Sequence, residues 1–271
     1  MAAVAELVPQ RAAVPAADPA LLQLDGVSLE YATNERVVRA THRVSFDVHR
    51  GERFVLLGAS GCGKSSLLKA VAGFLRPVEG EIRLDGVVVR EPGPDRVVVF
   101  QEFDQLPPWK TVLGNVMFPL LASRRLPKAQ ARERALDVLA KVGLADFADA
   151  HPHTLSGGMK QRVAIARALA MNPRVLLMDE PFASLDALTR RRMQEELLAL
   201  WDEIGFTLLF VTHSIEEALG VGSRIGVLSP RPGRLRAELN ARGFGLHSQG
   251  SPEFQAQARR IHGLLFEGAS E

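Results

Sequence analysis

Four stretches of this chain are apolar without a break: Phe54–Leu57, Val97–Phe100, Val175–Met178 and Leu208–Val211. Runs of this kind suit parallel strands covered on both faces, because a strand with one wet face alternates apolar and polar residues. Each run is followed by a glycine or polar residue of chemical interest, namely Gly58, Gln101, Asp179 and His213. Open α/β sheets bind ligands beyond the carboxyl ends of their strands. Four such positions at four strand ends point to a single site.

The rest of the pattern fits an α/β domain with a central, mostly parallel sheet. Residues 21–50 alternate instead, with Val44, Phe46 and Val48 between Ser45, Asp47 and His49. That predicts half-buried antiparallel strands. Residues 81–89 repeat the character around a turn at Asp85-Gly86. A helix is predicted over about 188–204, with Met193, Leu197, Leu200, Trp201 and Ile204 on one face. Much of 104–170 has helical stretches and no strong strand signal, so it reads as a helical insert. The alanine- and proline-rich start, residues 1–20, reads as a disordered tail. The domain proper is expected over 21–230. Residues 231–271 form a C-terminal extension, helical around 252–266 with Phe254, Ile261, Leu264 and Leu265 as its apolar positions.

Charge and composition exclude several classes. With 271 residues, 46% of them hydrophobic, the chain can bury a large core. A formal net charge of +2 and the absence of a basic stripe argue against a nucleic-acid partner. The run Arg190–Arg192 reads as a solvated helix face. Cys62 is the single cysteine, so no intrachain disulfide can form, which fits a reducing compartment. No apolar run approaches the roughly 18 residues of a membrane span. Glu6 and Arg11 interrupt any signal-peptide core. The chain is expected to be soluble alone, and to work at a membrane only if another chain holds it there.

The glycines carry the first chemical statement. Gly58-Ala59-Ser60-Gly61-Cys62-Gly63-Lys64-Ser65, with Ser66 just beyond, fits the phosphate-binding pattern G-x-x-x-x-G-K-[ST] between a strand and a helix. Glycines let backbone N–H groups turn inward around phosphate oxygens. Lys64 offers a positive charge to the β- and γ-phosphates, the Ser65 hydroxyl suits Mg²⁺, and the opening helix adds its positive dipole end. The pattern predicts binding of ATP with Mg²⁺.

The run Val175–Met178 then delivers two carboxylates, Asp179 and Glu180. Two carboxylates at the end of a buried strand are unfavourable unless they meet a cation. Asp179 suits the Mg²⁺ shell. Glu180 can face the γ-phosphate and orient or deprotonate the attacking water. The alternative is that the pair caps the next helix, with Pro181 making the turn. Ser156-Gly157-Gly158, ahead of the helical stretch Lys160–Ala170, has the make-up of a second anion-binding loop or of a simple N-cap. Taken alone, the pentapeptide Leu155–Met159 favours the cap.

LSGGMKQR resembles the signature motif of ABC-type ATPases, and the other motifs of that family follow in order over residues 22–230. Tyr31 is placed where the family stacks an aromatic ring on adenine. Gln101 in VVVFQE resembles the Q-loop glutamine, Asp186 in SLDA the D-loop, and His213 in FVTHS the switch histidine. Singly, each has an ordinary structural role available, such as capping of the next helix by Asp186. The resemblance implies a RecA-like P-loop NTPase core, an N-terminal antiparallel β subdomain and a helical subdomain at about 104–170. It implies two such domains head to tail, economically a homodimer, with ATP on Gly58–Ser65 of one chain covered by Ser156–Gly158 of the other. It further implies Glu180 as general base, His213 as γ-phosphate sensor, and Gln101 as a metal contact linking the site to a transport partner.

Phe103–Asn115, DEPFASLDALTRRRMQ and Leu228–Arg234 are similar to segments of the ATPases that serve nitrate, sulfonate and taurine importers. That subgroup implies integral membrane permease subunits, a separate solute-binding protein, and a place on the cytoplasmic face of the inner membrane. Leu106–Trp109 either line a groove for the permease or pack the helical insert. The rival reading is a soluble ABC-type ATPase in DNA repair or translation. One P-loop and no long heptad run argue against it.

Overall fold

The alternation along residues 21–50 becomes two antiparallel strands. The computed structural model describes residues 19–32, 37–101 and 105–266, so the expected disordered tail lies outside the described residues up to its last two. In chain order the elements are β1 (Leu22–Ala32), β2 (Val37–Val48), β3 (Arg53–Leu57), α1 (Lys64–Val71), β4 (Glu79–Leu84), β5 (Val87–Val88) and β6 (Arg96–Val99). There follow α2 (Val112–Ala122), α3 (Lys128–Lys141), α4 (Gly157–Ala170), β7 (Val175–Asp179), α5 (Ala187–Ile204), β8 (Thr207–Thr212) and α6 (Ile215–Val221). The last are β9 (Arg224–Leu228), β10 (Leu235–Asn240) and α7 (Pro252–Phe266). The chain divides into two units. The first takes the described residues up to Val71, Leu75–Val89 and the chain from Val211; the second takes Ala72–Phe74 and Arg90–Phe210.

In the first unit β1 is the centre of an antiparallel sheet in the order β2-β1-β4-β5. Leu22 faces Val48 and Leu24 faces Phe46, and all four are buried. The β4–β5 turn holds Asp85 at φ +53° and Gly86 at φ +78°, the paired left-handed residues of a tight hairpin. Phe46 stacks flat on Phe54 of β3, 4.7 Å between centroids and 7° between planes. β3 in turn runs parallel to β9, with Val55 opposite Ile225.

β9 is fully buried, yet no apolar run announces it. Arg224 and Gly226 break the pattern, and the structure accounts for both. A Cβ on Gly226 would lie 2.9 Å from the Phe54 ring, so the ring takes that space. The Arg224 guanidinium lies over the same ring at 4.9 Å, donates to the Asp47 carbonyl, and sits 3.4 Å from both Glu52 and Glu238. A buried charge is tolerable when paired in this way. The stretch set apart in the sequence as an extension is packed into this unit. β10 runs antiparallel on β9, Arg236 donates to the Leu264 carbonyl at 2.6 Å, and Phe254, Ile261 and Leu265 of α7 are buried.

In the second unit β6 pairs in parallel with β7, Val97 opposite Leu176, and β8 lies beside β7. Val175–Met178 and Leu208–Phe210 are wholly buried, as their composition predicts. β6 is less covered: it ends the strand order, and of its valines Val99 is buried while Val97 and Val98 are half-buried. Between β6 and β7 the described residues form α2, α3, α4 and short 3-10 turns. On α5, Met193, Leu197 and Leu200 are buried, Trp201 is half-buried and Ile204 is exposed, so the predicted apolar face fades toward its end. Arg191 and Arg192 pair with Glu195 and Glu196 one turn on, whereas Arg190 turns back to the carbonyls of Phe182 and Leu185.

Candidate functional site

β3 ends at Leu57 and α1 begins at Lys64, so Gly58–Gly63 form the turn between them. Gly61 and Gly63 have φ of +77° and +100°, where L side chains are strained. A Cβ on Gly58 would lie 2.6 Å from the Cys62 sulfur. The loop is therefore packed from inside by its own Cys62, which is buried, while Ser60 and Gly61 face solvent. Lys64 is only 4% exposed, and its ammonium donates to the carbonyls of Gly58 at 2.8 Å and Ala59 at 3.1 Å. A buried lysine is unfavourable unless hydrogen-bonded, and here the loop backbone supplies the partners. This cradle suits a phosphate chain: glycine backbone, one central cation, and a helix start.

Tyr31 reaches the same place. Its phenol donates to the Ser66 hydroxyl at 2.9 Å, which joins the end of β1 to the first turn of α1. The ring is 39% exposed, enough to offer a face to a planar ligand. His213, also in this unit, follows β8 and is exposed. Its neighbours fix the turn. Ser214 caps α6 by accepting from the Glu217 N–H at 3.2 Å, and the Thr212 hydroxyl accepts from the Ser214 N–H at 3.0 Å. That hydroxyl also donates to the buried Glu217 carboxylate. The spacing Ser214…Glu217 is that of a capping box, so this support was legible in the sequence.

The second unit holds the remaining residues. Asp179 and Glu180 are half-buried at the end of β7. Glu180 has φ +45°, unusual for any residue but glycine, and its carbonyl accepts from Ala183 N–H at 3.2 Å. Backbone strain of this kind collects at functional sites. The helix-cap alternative for this pair is already filled: Asp186 caps α5, its carboxylate accepting from Leu188 and Thr189 at 3.1 and 3.0 Å. The bond from Thr189 holds the Asp186 carboxyl below its usual range. Ser156 caps α4, accepting from Met159 N–H at 3.3 Å, and is exposed. Gly158 is buried, its missing Cβ 3.2 Å from a Thr189 methyl. The N-cap reading of Ser156–Gly158 is thus realised, with Ser156 at the surface.

Gln101 follows β6 and is exposed, and residues 102–104 lie outside the described residues. Beyond them, Gln105 donates to the Phe100 carbonyl at 2.9 Å, and Arg167 of α4 donates to the Gln105 carbonyl and side-chain oxygen at 2.7 and 3.0 Å. The stretch Leu106–Trp109 splits: Leu106 is buried, while Trp109 is 76% exposed. Asn115, fully buried, donates to the carbonyls of Pro107, Lys110 and Thr111, which pins the turn presenting Trp109. Sequence reading passed over Asn115, though a polar residue inside an apolar helix is its signal. Among the described residues no cluster of three metal-binding side chains occurs. Mg²⁺ commonly takes only one or two protein ligands beside phosphate oxygens and water.

Comparison with known proteins gives concordant results. Residues 41–183 match the model of a family described as ABC transporter. A taurine import ATP-binding protein, TauB, of Rhizobium johnstonii is 48% identical, covering 90% of this chain and 96% of its own. The bicarbonate transport ATP-binding protein CmpD of Synechocystis is 44% identical, covering 81% of this chain and 80% of its own. Among solved structures, a dimeric ATP-binding cassette in a post-hydrolysis state with ADP and Pi has a TM-score of 0.71 at 35% identity. It covers 82% of this chain and all of its own. The protein cbiO1 from Clostridium perfringens, part of the ABC transporter complex cbiONQ, has a TM-score of 0.75 at 27% identity. It covers 90% of this chain and 98% of its own.

Proposed function

Since this chain belongs to the ABC transporter family, we propose that it is the ATP-hydrolysing subunit of an importer of a small solute, taurine before alkanesulfonates or nitrate. The observation that carries the ATPase reading is the buried Lys64 ammonium at the centre of a glycine cradle. What supports taurine is the likeness to an import protein of that name along 96% of the relative's length.

The adenine stacks on Tyr31, and the phosphates lie against the N–H groups of Gly58–Ser66 and the Lys64 charge. Ser65, Asp179 and Gln101 would hold Mg²⁺, which would supply positive charge beside the phosphates. Glu180 takes a proton from water as its oxygen bonds to the γ-phosphorus; the bond to the β-γ bridging oxygen breaks and ADP leaves. His213 holds the γ-phosphate in line. Ser156–Gly158 of a second copy complete the site, so the working form is a C2 homodimer. Gln101 passes the state of the site to permease subunits, for which the exposed Trp109 is a docking point. A separate solute-binding protein delivers the cargo. The chain then sits peripherally on the cytoplasmic face of the inner membrane; among its described residues no helix is long and apolar enough to cross one.

The test is reconstitution. The chain is co-purified with its permease in proteoliposomes, and ATPase rate and uptake are measured with taurine, alkanesulfonates, nitrate and bicarbonate. Taurine-dependent stimulation is expected. Stimulation by another of these solutes alone rejects the cargo, and recovery of ribosomes or DNA in place of a permease rejects the transporter.

A further inference from the structure

The segment Leu228–Arg234 has no place in the chemistry above, yet it touches the phosphate loop at both ends. At the near end, a Cβ on Gly58 would lie 3.2 Å from the Leu228 Cβ and 3.4 Å from its carbonyl oxygen. At the far end, a Cβ on Gly233 would lie 2.1 Å from the Cys62 carbonyl oxygen, a distance no side chain permits. Gly233 is buried, and its φ lies outside the left-handed region, so the glycine answers to close approach and not to backbone angle.

The segment is held from its other side too. Gly233 N–H donates to the Ala40 carbonyl and its own carbonyl accepts from His42 N–H, both at 2.9 Å, as one step of parallel pairing beside Thr41. β2 in turn abuts Gly63, whose missing Cβ would lie 2.6 Å from the Thr41 methyl and 2.7 Å from the Ala40 carbonyl. The backbones of β2 and of Gly233 therefore both close on Cys62-Gly63, with the Thr41 methyl packed against Gly63. The segment keeps its shape through Ser229. Ser229 N–H donates to the Arg234 carbonyl at 2.9 Å, and its hydroxyl accepts from Arg234 N–H at 3.0 Å. The same hydroxyl donates toward the carbonyls of Pro230 and Pro232, at 2.9 and 3.2 Å.

We propose that Ser229–Arg234 is a clasp that fixes the phosphate loop, with Gly233 its positioning residue. A loop that offers backbone N–H groups to phosphate binds well only if those groups are already aimed. Its glycines leave it free to turn in many ways. The wedge at Cys62 removes that freedom from outside the loop. This reading rests on the assignment of Gly58–Ser65 as the phosphate-binding loop.

The experiment measures ATP affinity, ATPase kinetics and thermal melting for the full chain and four variants. Gly233→Ala is expected to weaken ATP binding about 10-fold or more, since a displacement near 1 Å is enough to spoil a positioned site. Gly243→Ala, whose Cβ meets nothing within 4 Å, is expected to bind as wild type. Ser229→Ala loses the hydrogen bonds of the hydroxyl and should raise KM about 2- to 10-fold with kcat little changed. A lower melting temperature with unchanged ATP affinity in Gly233→Ala overturns the proposal, because a purely structural glycine behaves so. If that variant does not fold, an unchanged KM in Ser229→Ala overturns it. Lys64→Ala separates the two readings: if it binds ATP as wild type, the loop assignment itself fails.

Discussion

The two glycine loops of this chain are built to different degrees of completion. Gly58–Ser65 closes around a buried ammonium, packs its own cysteine inward and is braced by β2 and by Gly233. Ser156–Gly158 has an exposed serine, one long capping bond of 3.3 Å, and a half-buried Gly157 ahead of a buried Gly158. Both have elements of an anion site: small residues and a helix dipole. The difference is that the first supplies its own walls. A loop left open to the surface is suited to a ligand already held by another molecule. The comparison teaches that glycine content marks a backbone able to approach a phosphate, while the surrounding residues decide whether it can bind one unaided.

This contrast can be broken experimentally. The largest effect is expected from Glu180→Gln, which keeps the shape of the strand end but removes the proposed base. Turnover should fall about 10²- to 10⁴-fold with ATP still bound, and closed dimers should accumulate, as sizing chromatography with ATP would show. Near wild-type turnover rejects the general-base role. Lys64→Ala should weaken ATP binding of the single chain about 10²-fold, read by calorimetry, because the central charge-assisted contacts are lost. Ser156→Arg is the sharper comparison. It should leave single-chain affinity within about 2-fold yet abolish dimer closure and turnover. Equal losses of affinity in Lys64→Ala and Ser156→Arg would mean that the two loops do not differ as described.

The smallest effect belongs to Asp186. Asp186→Ala removes the α5 cap and should lower the melting temperature by about 2 °C or less. The folded carboxyl sits below its ordinary range, held there mainly by Thr189. The contribution of the cap is therefore full above the ordinary carboxylate range and lost as pH falls through the lowered native value. The melting difference between wild type and variant should shrink in acid.

Much of this was legible because it is local. The apolar runs gave β3, β7 and β8; the alternation gave β1 and β2; and Asp-Gly at 85–86 gave its hairpin. The glycine–lysine spacing located the phosphate loop, whose strand-turn-helix setting the fold supplies. What escaped depends on partners far along the chain. Arg224 looked unfit for a buried strand until Glu52, Glu238 and Phe54 surrounded it. Nothing beside Gly233 in the sequence marks its role, which comes from Cys62, more than 150 residues earlier. The left-handed backbone of Glu180 has no compositional trace at all, for glutamate does not favour that conformation.

The parallel pairing of β3 with β9 also has a temporal side. β3 and the loop that follows it leave the ribosome early, but their partner strand, the Gly233 wedge and the Glu238 carboxylate emerge only after the roughly 120 residues of Arg90–Phe210. At ~5–20 residues per second of synthesis, that interval lasts roughly 6–24 s. Throughout it, β3 and the ring of Phe54 stand without their final cover, and the second unit has all of its own segments first. The most finished loop of the mature protein is thus among the last places to be finished during its birth.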